Sequence, residues 1–229
     1  MNRIVLPELL DVLPPQDSAA QRSRRDLRRL NAWMRHPKIM AAVLRDNFST
    51  PVPHRIVELG AGDGHFLLRV AQRLRWPETE AVLVDRLKAM DPQIAKLFRG
   101  LGCRVKSENA DAADWLRRQP PGSADVVIGN LFFHQFETRP LVELLQLAAN
   151  AARRVIALEP RRAWLPKLCG HWLWAVGCGP VTRHDANISV GAGFRDNEIS
   201  ALWPDKENWT LTERSAGLFS HLFIARRNK

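Results

Sequence analysis

The chain has 229 residues, 45% of them hydrophobic, enough to bury one sizeable core, and carries a formal net charge of +10. No run of eighteen apolar residues and no basic-then-apolar leader occurs, so the sequence argues against a membrane span or secretory signal and predicts a cytoplasmic protein. Its three cysteines (Cys103, Cys169, Cys178) are odd in number and widely spread, which argues against a disulfide framework. Cys169 and Cys178 flank His171, but no C-x-x-C pair accompanies them, so no metal site is expected.

The excess charge is uneven. Residues 51–160 hold 15 basic and 13 acidic residues, whereas residues 1–50 and 161–229 are each +4. The basic flanks either solubilise the protein or attract an anionic partner such as nucleic acid or a membrane face.

In chain order, "SRRDLRRLNAWMRHP" opens with a capping-box pattern, Ser23 and Asp26, and sets Leu27, Leu30 and Met34 on one helical face. Pro37 interrupts this helix, and "KIMAAVLRDNF" forms a second. Residues 1–50 are therefore expected to be a helical extension, joined through "STPVP" to a main domain over 51–229. From Arg55, apolar strands at 55–59, 80–85, 103–107, 124–129 and 153–158 alternate with helices near 64–75, 88–99, 112–119 and 139–152. This rhythm predicts an α/β, doubly wound, mostly parallel sheet. Residues 161–205 break the rhythm and read as a substrate-covering insertion, rich in tryptophan at its start. "WTLTERSAGLFSHLFIARR" then gives two antiparallel strands meeting at Gly217.

"RIVELGAGDGHF" places three glycines, Gly60, Gly62 and Gly64, between the first strand and its helix. Bare backbone there admits a ligand, and free N–H groups at the helix start favour an anion. The stretch is neither a P-loop nor the G-x-G-x-x-G dinucleotide fingerprint, because His65 stands where the third glycine of the latter belongs.

"IVELGAGDG" resembles motif I of the class I S-adenosylmethionine-dependent methyltransferases, and the likeness extends over about residues 55–160. That resemblance implies a Rossmann-like fold and S-adenosyl-L-methionine as cofactor. It implies that Gly60, Ala61, Gly62, Asp63 and Gly64 cradle the cofactor, with Glu58 orienting the loop. Asp85 and Arg86, at the end of "VLVDR", would meet the ribose. Asp111, which can also cap a helix, would face the adenine. Asn130 and Leu131, in "VVIGNLFFHQF", would lie along the methionine portion. A weaker likeness of the N-terminal helix points to small bacterial methyltransferases of specialised metabolism.

Proton removal from a hydroxyl acceptor needs a base. His134, four residues beyond Asn130, is the first candidate, and His184, beside Asp185, is the second. The sequence after the fourth strand lacks the D/N-P-P-Y/F tetrapeptide of base-amine methylation, and no Pro-Cys nucleophile pair occurs. Trp164, Trp172 and Trp174, with Leu165, Leu168, Leu173 and Val176, form either a core helix or the wall of a hydrophobic acceptor site. The expected activity is thus O-methylation of a small hydrophobic acceptor, which His134, His184, Trp164 and Trp172 would contact. Methylation of RNA, a non-catalytic adenosyl-binding scaffold and an NAD-dependent oxidoreductase are the alternatives.

Overall fold

The computed structural model describes residues 2–14, 16–48, 51–86, 90, 92–164, 166 and 173–228. Five strands run parallel: β1 (Arg55–Leu59), β2 (Glu80–Asp85), β3 (Arg104–Asn109), β4 (Val126–Asn130) and β5 (Arg154–Pro160). A hairpin of β6 (Trp209–Ala216) and β7 (Ser220–Arg227) adds to β5 with β7 antiparallel, giving the order β3-β2-β1-β4-β5-β7-β6. Strand order reverses between β1 and β4, which pair through Glu58 and Ile128, so a crevice opens beyond their carboxyl ends. The expected Rossmann-like architecture, including the antiparallel final pair, is the one observed.

Alternation along each strand divides the core into two layers. Val57, Leu59, Val82, Val84, Val127 and Val155 face α6 (Ala112–Arg117) and α7 (Thr138–Ala151). Ile56, Leu83, Ile128 and Ile156 face α3 (His36–Asn47), α4 (His65–Leu74) and α5 (Pro92–Gly100). Both faces of the central strands are therefore apolar, as a parallel sheet requires. The edge strand β3 is the exception: its Arg104 and Lys106 are exposed and discourage further pairing.

The N-terminal helices depart from the sequence reading. Helix α2 spans Ser18–Trp33 and is capped by Asp17, which accepts from the N–H groups of Ala19 (2.7 Å) and Ala20 (3.2 Å). Ser23 and Asp26 are therefore no capping box; both are buried in mid-helix. Asp26 Oδ2 accepts from Gly179 N at 2.8 Å and from the Thr182 hydroxyl at 3.1 Å. A polar cluster docks this helix on α8 (Pro180–Ala192). Arg35 turns the chain at φ 61°, and Pro37 helps to open α3 instead of merely ending α2, since its fixed φ suits a first helical turn. Helix α3 buries Met40, Ala41 and Leu44 in the sheet's core. The insertion carries α8, then a short helix α9 (Glu198–Leu202) whose first N–H groups are capped by Glu213 of β6. Ahead of them, residues 2–8 and a single-turn helix α1 (Leu9–Val12) lie along α8, with Ile4 N donating to Gly191 O at 3.2 Å.

Candidate functional site

The glycine loop leaves β1 with Gly60 at φ 66°, Gly62 at 54° and Gly64 at 80°, the left-handed region that side chains resist. Their surroundings differ. A Cβ on Gly60 would sit 2.3 Å from a ring carbon of Phe132, and one on Gly64 would sit 2.8 Å from Leu83 Cδ1. At Gly62 nothing lies within 4 Å. Two of the three glycines are thus bare so that the protein can pack on itself, and only Gly62 leaves space for something else. Gly64 itself is not among the residues that line the cleft.

Around that opening the strand ends bring the expected residues together. Asp85 Oδ2 accepts from Gly62 N at 2.8 Å and braces the loop. Asp111 caps α6 by accepting from Ala113 N at 2.8 Å, and it also borders the cleft. Arg86 follows at the rim, and Leu131, at φ 54°, is a strained non-glycine residue directly after β4. Glu58 is fully buried beneath the loop, and its Oε2 has no hydrogen-bond partner. Burial, then the charges of Asp63 and Asp85, push its carboxyl well above the usual range. A carboxyl oxygen left without a partner under an open backbone cradle fits a ligand that brings a cationic or hydrogen-donating end, as S-adenosylmethionine does.

Asn130 is ordered by a chain of hydrogen bonds that sequence reasoning missed. The His36 Nδ1–H donates to Asn130 Oδ1 at 2.7 Å, and the Ser220 hydroxyl donates to His36 Nε2 at 2.6 Å. Asn130 Nδ2 in turn donates to Asn31 Oδ1 at 3.2 Å. Burial lowers His36 to about 4, against the Asn130 hydrogen bond, so the ring is neutral and its tautomer is set by its partners.

His134 is buried in the cleft wall between two carboxylates. Its Nδ1 donates to Glu159 Oε2 at 2.8 Å, and its Nε2 faces Glu8 Oε1 at 3.3 Å. Burial, the largest single influence, opposes the charged ring. The hydrogen bonds and charges of Glu159 and Glu8 outweigh it and raise His134 to about 9. The ring therefore carries its proton near neutral pH, and to act as a base His134 would first have to give that proton up. Glu159, completely buried, also accepts from the N–H groups of Phe132 (3.1 Å) and Phe133 (3.0 Å) and so holds the turn after β4. It ends an apolar strand as Asp85 does, a signal that could have singled it out. Glu8 offered no such signal, because nothing local brings residue 8 to residue 134.

The N-terminal segment closes one wall. The Arg3 guanidinium donates to the carbonyls of His134 (2.9 Å) and Phe136 (2.6 Å), and Asp185 accepts from Leu9 N and Leu10 N at 2.9 and 3.0 Å. Helix α2 closes another: Arg28 pairs with Asp63 of the glycine loop at 2.6 Å. Leu27, Leu30 and Met34, the apolar face of that helix, border a cavity of about 1770 Å³ with Val176 and Phe219. That volume exceeds the ≈ 300–1,000 Å³ of an ordinary small-ligand site, leaving room for a second molecule beside a nucleoside-sized one. His184 is not brought there. It is half exposed, bonded to Asp185 Oδ1 at 3.0 Å, and absent from the lining, where Asp185 stands. Trp164 is largely exposed and likewise off the wall, because the chain there lies at the surface. Trp172, with Leu165, Leu168, Cys169 and His171, falls outside the described residues.

Comparisons with known proteins agree with this geometry. Residues 56–155 match the family described as "Methyltransferase domain". No curated protein matches the chain. An O-methyltransferase family protein from Burkholderia thailandensis is similar in structure at 20% identity and a TM-score of 0.58, over 93% of this chain and 64% of that one. This chain thus spans less than two thirds of that protein. The plantazolicin methyltransferase BamL, solved with a triazolic desmethylPZN analog and SAH, is similar at 10% identity and a TM-score of 0.66, over 96% and 93%. A SAM-dependent methyltransferase from Aquifex aeolicus gives 11% and 0.52, over 76% and 82%. At these identities the likeness to solved structures speaks to the fold.

Proposed function

We propose that this chain, whose residues 56–155 match a methyltransferase domain, is a class I S-adenosylmethionine-dependent methyltransferase that methylates an oxygen atom of a small, hydrophobic acceptor. The observation that carries the acceptor class is the second half of the cleft. Leu27, Leu30, Met34, Val176 and Phe219 line it beyond the glycine loop, and its polar end is Glu8 with His134. Bound at the loop, the cofactor supplies a methyl group activated on a sulfonium. Gly62, Glu58, Asp85, Asp111 and Asn130 are the residues that would hold it, with Asp85 toward the sugar and Asp111 toward the purine.

The rest of the work is positional. Helix α2 and the N-terminal segment wall off water, while the ordered Asn130 side chain and the strained Leu131 fix the strand end where the two molecules meet. Positioning of this kind contributes roughly 7–11 kcal/mol to lowering a barrier. Glu8, whose carboxyl stays below its usual value despite burial because His134, Ser189 and Gln135 bond to it, is the carboxylate we assign to orienting the substrate hydroxyl by accepting its hydrogen bond. His134 holds that carboxylate in place and is a positioning residue.

The test is methyl transfer from isotopically labelled cofactor to a panel of apolar alcohols, phenols, amines and RNA, read by mass spectrometry. Label appearing on oxygen of an apolar compound supports the reading. Label on nitrogen, or on RNA alone, overturns it.

A further inference from the structure

The outer face of α2 is not explained by a soluble acceptor. Arg22, Arg25, Arg29 and Trp33 stand at positions i, i+3, i+7 and i+11, which form one stripe on a helix, and all four are exposed. Between residues 22 and 38 the chain carries seven basic residues, and its single acid, Asp26, is buried and engaged. The stripe continues onto the turn beside it: Arg22 donates to Gly177 O at 3.2 Å and Arg29 to Val176 O at 3.1 Å. Large apolar side chains surround these cations. Trp33 is 63% exposed, Trp174 58%, Val176 55% and Leu218 60%. Trp33 meets Phe219 with ring centroids 5.0 Å apart in a tilted contact, which ties the β6–β7 turn into the same surface.

Scattered apolar residues on a surface need no explanation, but a contiguous patch threaded with arginine does. A basic helix ending in an exposed tryptophan suits a bilayer interface, where the indole sits at headgroup level and guanidinium groups meet anionic lipid. The patch is also the mouth of the cleft, since Trp33, Arg29 and Val176 both face solvent and border the cavity. An acceptor dissolved in a membrane would enter the site without crossing water.

We infer that this face of α2, with the 173–177 and β6–β7 turns, docks on an anionic lipid bilayer and that the acceptor is drawn from that bilayer. The second clause rests on the hydrophobic-acceptor reading above, whereas the docking itself does not.

The experiment is co-sedimentation of the intact protein with phosphatidylcholine vesicles, with and without phosphatidylglycerol, across a salt series. Binding is expected only to the anionic vesicles and should weaken as salt rises. Arg22→Glu should reduce it about thirtyfold, from the two units of charge removed from the surface. The pair Trp174→Ala and Leu218→Ser should reduce it by a similar or larger factor, while calorimetric binding of S-adenosylhomocysteine in solution stays unchanged. Indifference to phosphatidylglycerol, or full binding by both variants, overturns the inference. So does binding of single-stranded RNA in place of vesicles, or burial of Trp174 in a dimer that excludes vesicles. Vesicle docking without methylation of any lipid-phase compound would keep the surface and remove the acceptor clause.

Discussion

Gly60→Ala and Gly62→Ala form a paired test of what the bare loop is for. Both positions have positive φ, so alanine costs about 1–2 kcal/mol at either. At Gly62 the added methyl meets no protein atom within 4 Å, and that strain is the whole cost to folding. At Gly60 it lands 2.3 Å from Phe132 Cδ2, and Phe132 is buried, so overpacking adds about 1–3 kcal/mol. For a chain of this size each kcal/mol lowers the melting temperature by about 2–4 °C. Thermal denaturation should therefore show a drop of a few degrees for Gly62→Ala and a clearly larger one for Gly60→Ala. Calorimetry with S-adenosylhomocysteine should show the reverse order. Gly62→Ala loses at least about tenfold in affinity, because its methyl occupies the cradle, whereas surviving Gly60→Ala protein binds more nearly as wild type. Wild-type affinity in Gly62→Ala would refute the claim that a ligand lies against that backbone.

Three further outcomes follow from the site. Asp85→Ala, which removes the brace on Gly62 N at 2.8 Å, should weaken S-adenosylhomocysteine by about 1.5–3 kcal/mol in calorimetry. Glu58 has a folded-state pKa above its unfolded one, so it takes up protons on folding and lowers stability as pH climbs past the unfolded value. Glu58→Gln should accordingly raise the ligand-free melting temperature at pH 8 but not at pH 4, and should weaken cofactor binding. Equal melting at both pH values would refute the assignment. His134 is raised from 6.5 to about 9, so its contribution to stability is complete below pH 6.5 and lost as pH passes 9. That loss is on the order of 3 kcal/mol, measurable by urea denaturation between pH 6 and 10, and should be missing in His134→Gln.

What could be foreseen divides along physical lines. Strand and helix positions near 55–160 were legible because apolar runs and turn residues are local signals. Asp85 stood out because an acid ending a strand lies at the crevice of a parallel sheet, whereas Asp111, two residues beyond β3, was reached only through the family resemblance. Contacts made across the fold left no trace in any short stretch. Nothing near residue 36 announces that its imidazole meets Asn130, and nothing near Glu8 announces His134. The capping-box pattern at Ser23 and Asp26 misled for a related reason: those residue types suit a helix start and a buried polar dock equally, and tertiary contact with Thr182 decided between them. The surroundings of His134 were not legible either, because the pattern shows the ring but not the two acids that flank it.

The anchoring of Arg3 on the carbonyls of His134 and Phe136 bears on how the protein should be handled at the bench. A purification handle fused at the amino end would hang from a strap that forms part of the reaction chamber. Strand β7 runs against β5 and finishes at the opposite rim of the sheet, so a handle added there leaves the chamber untouched.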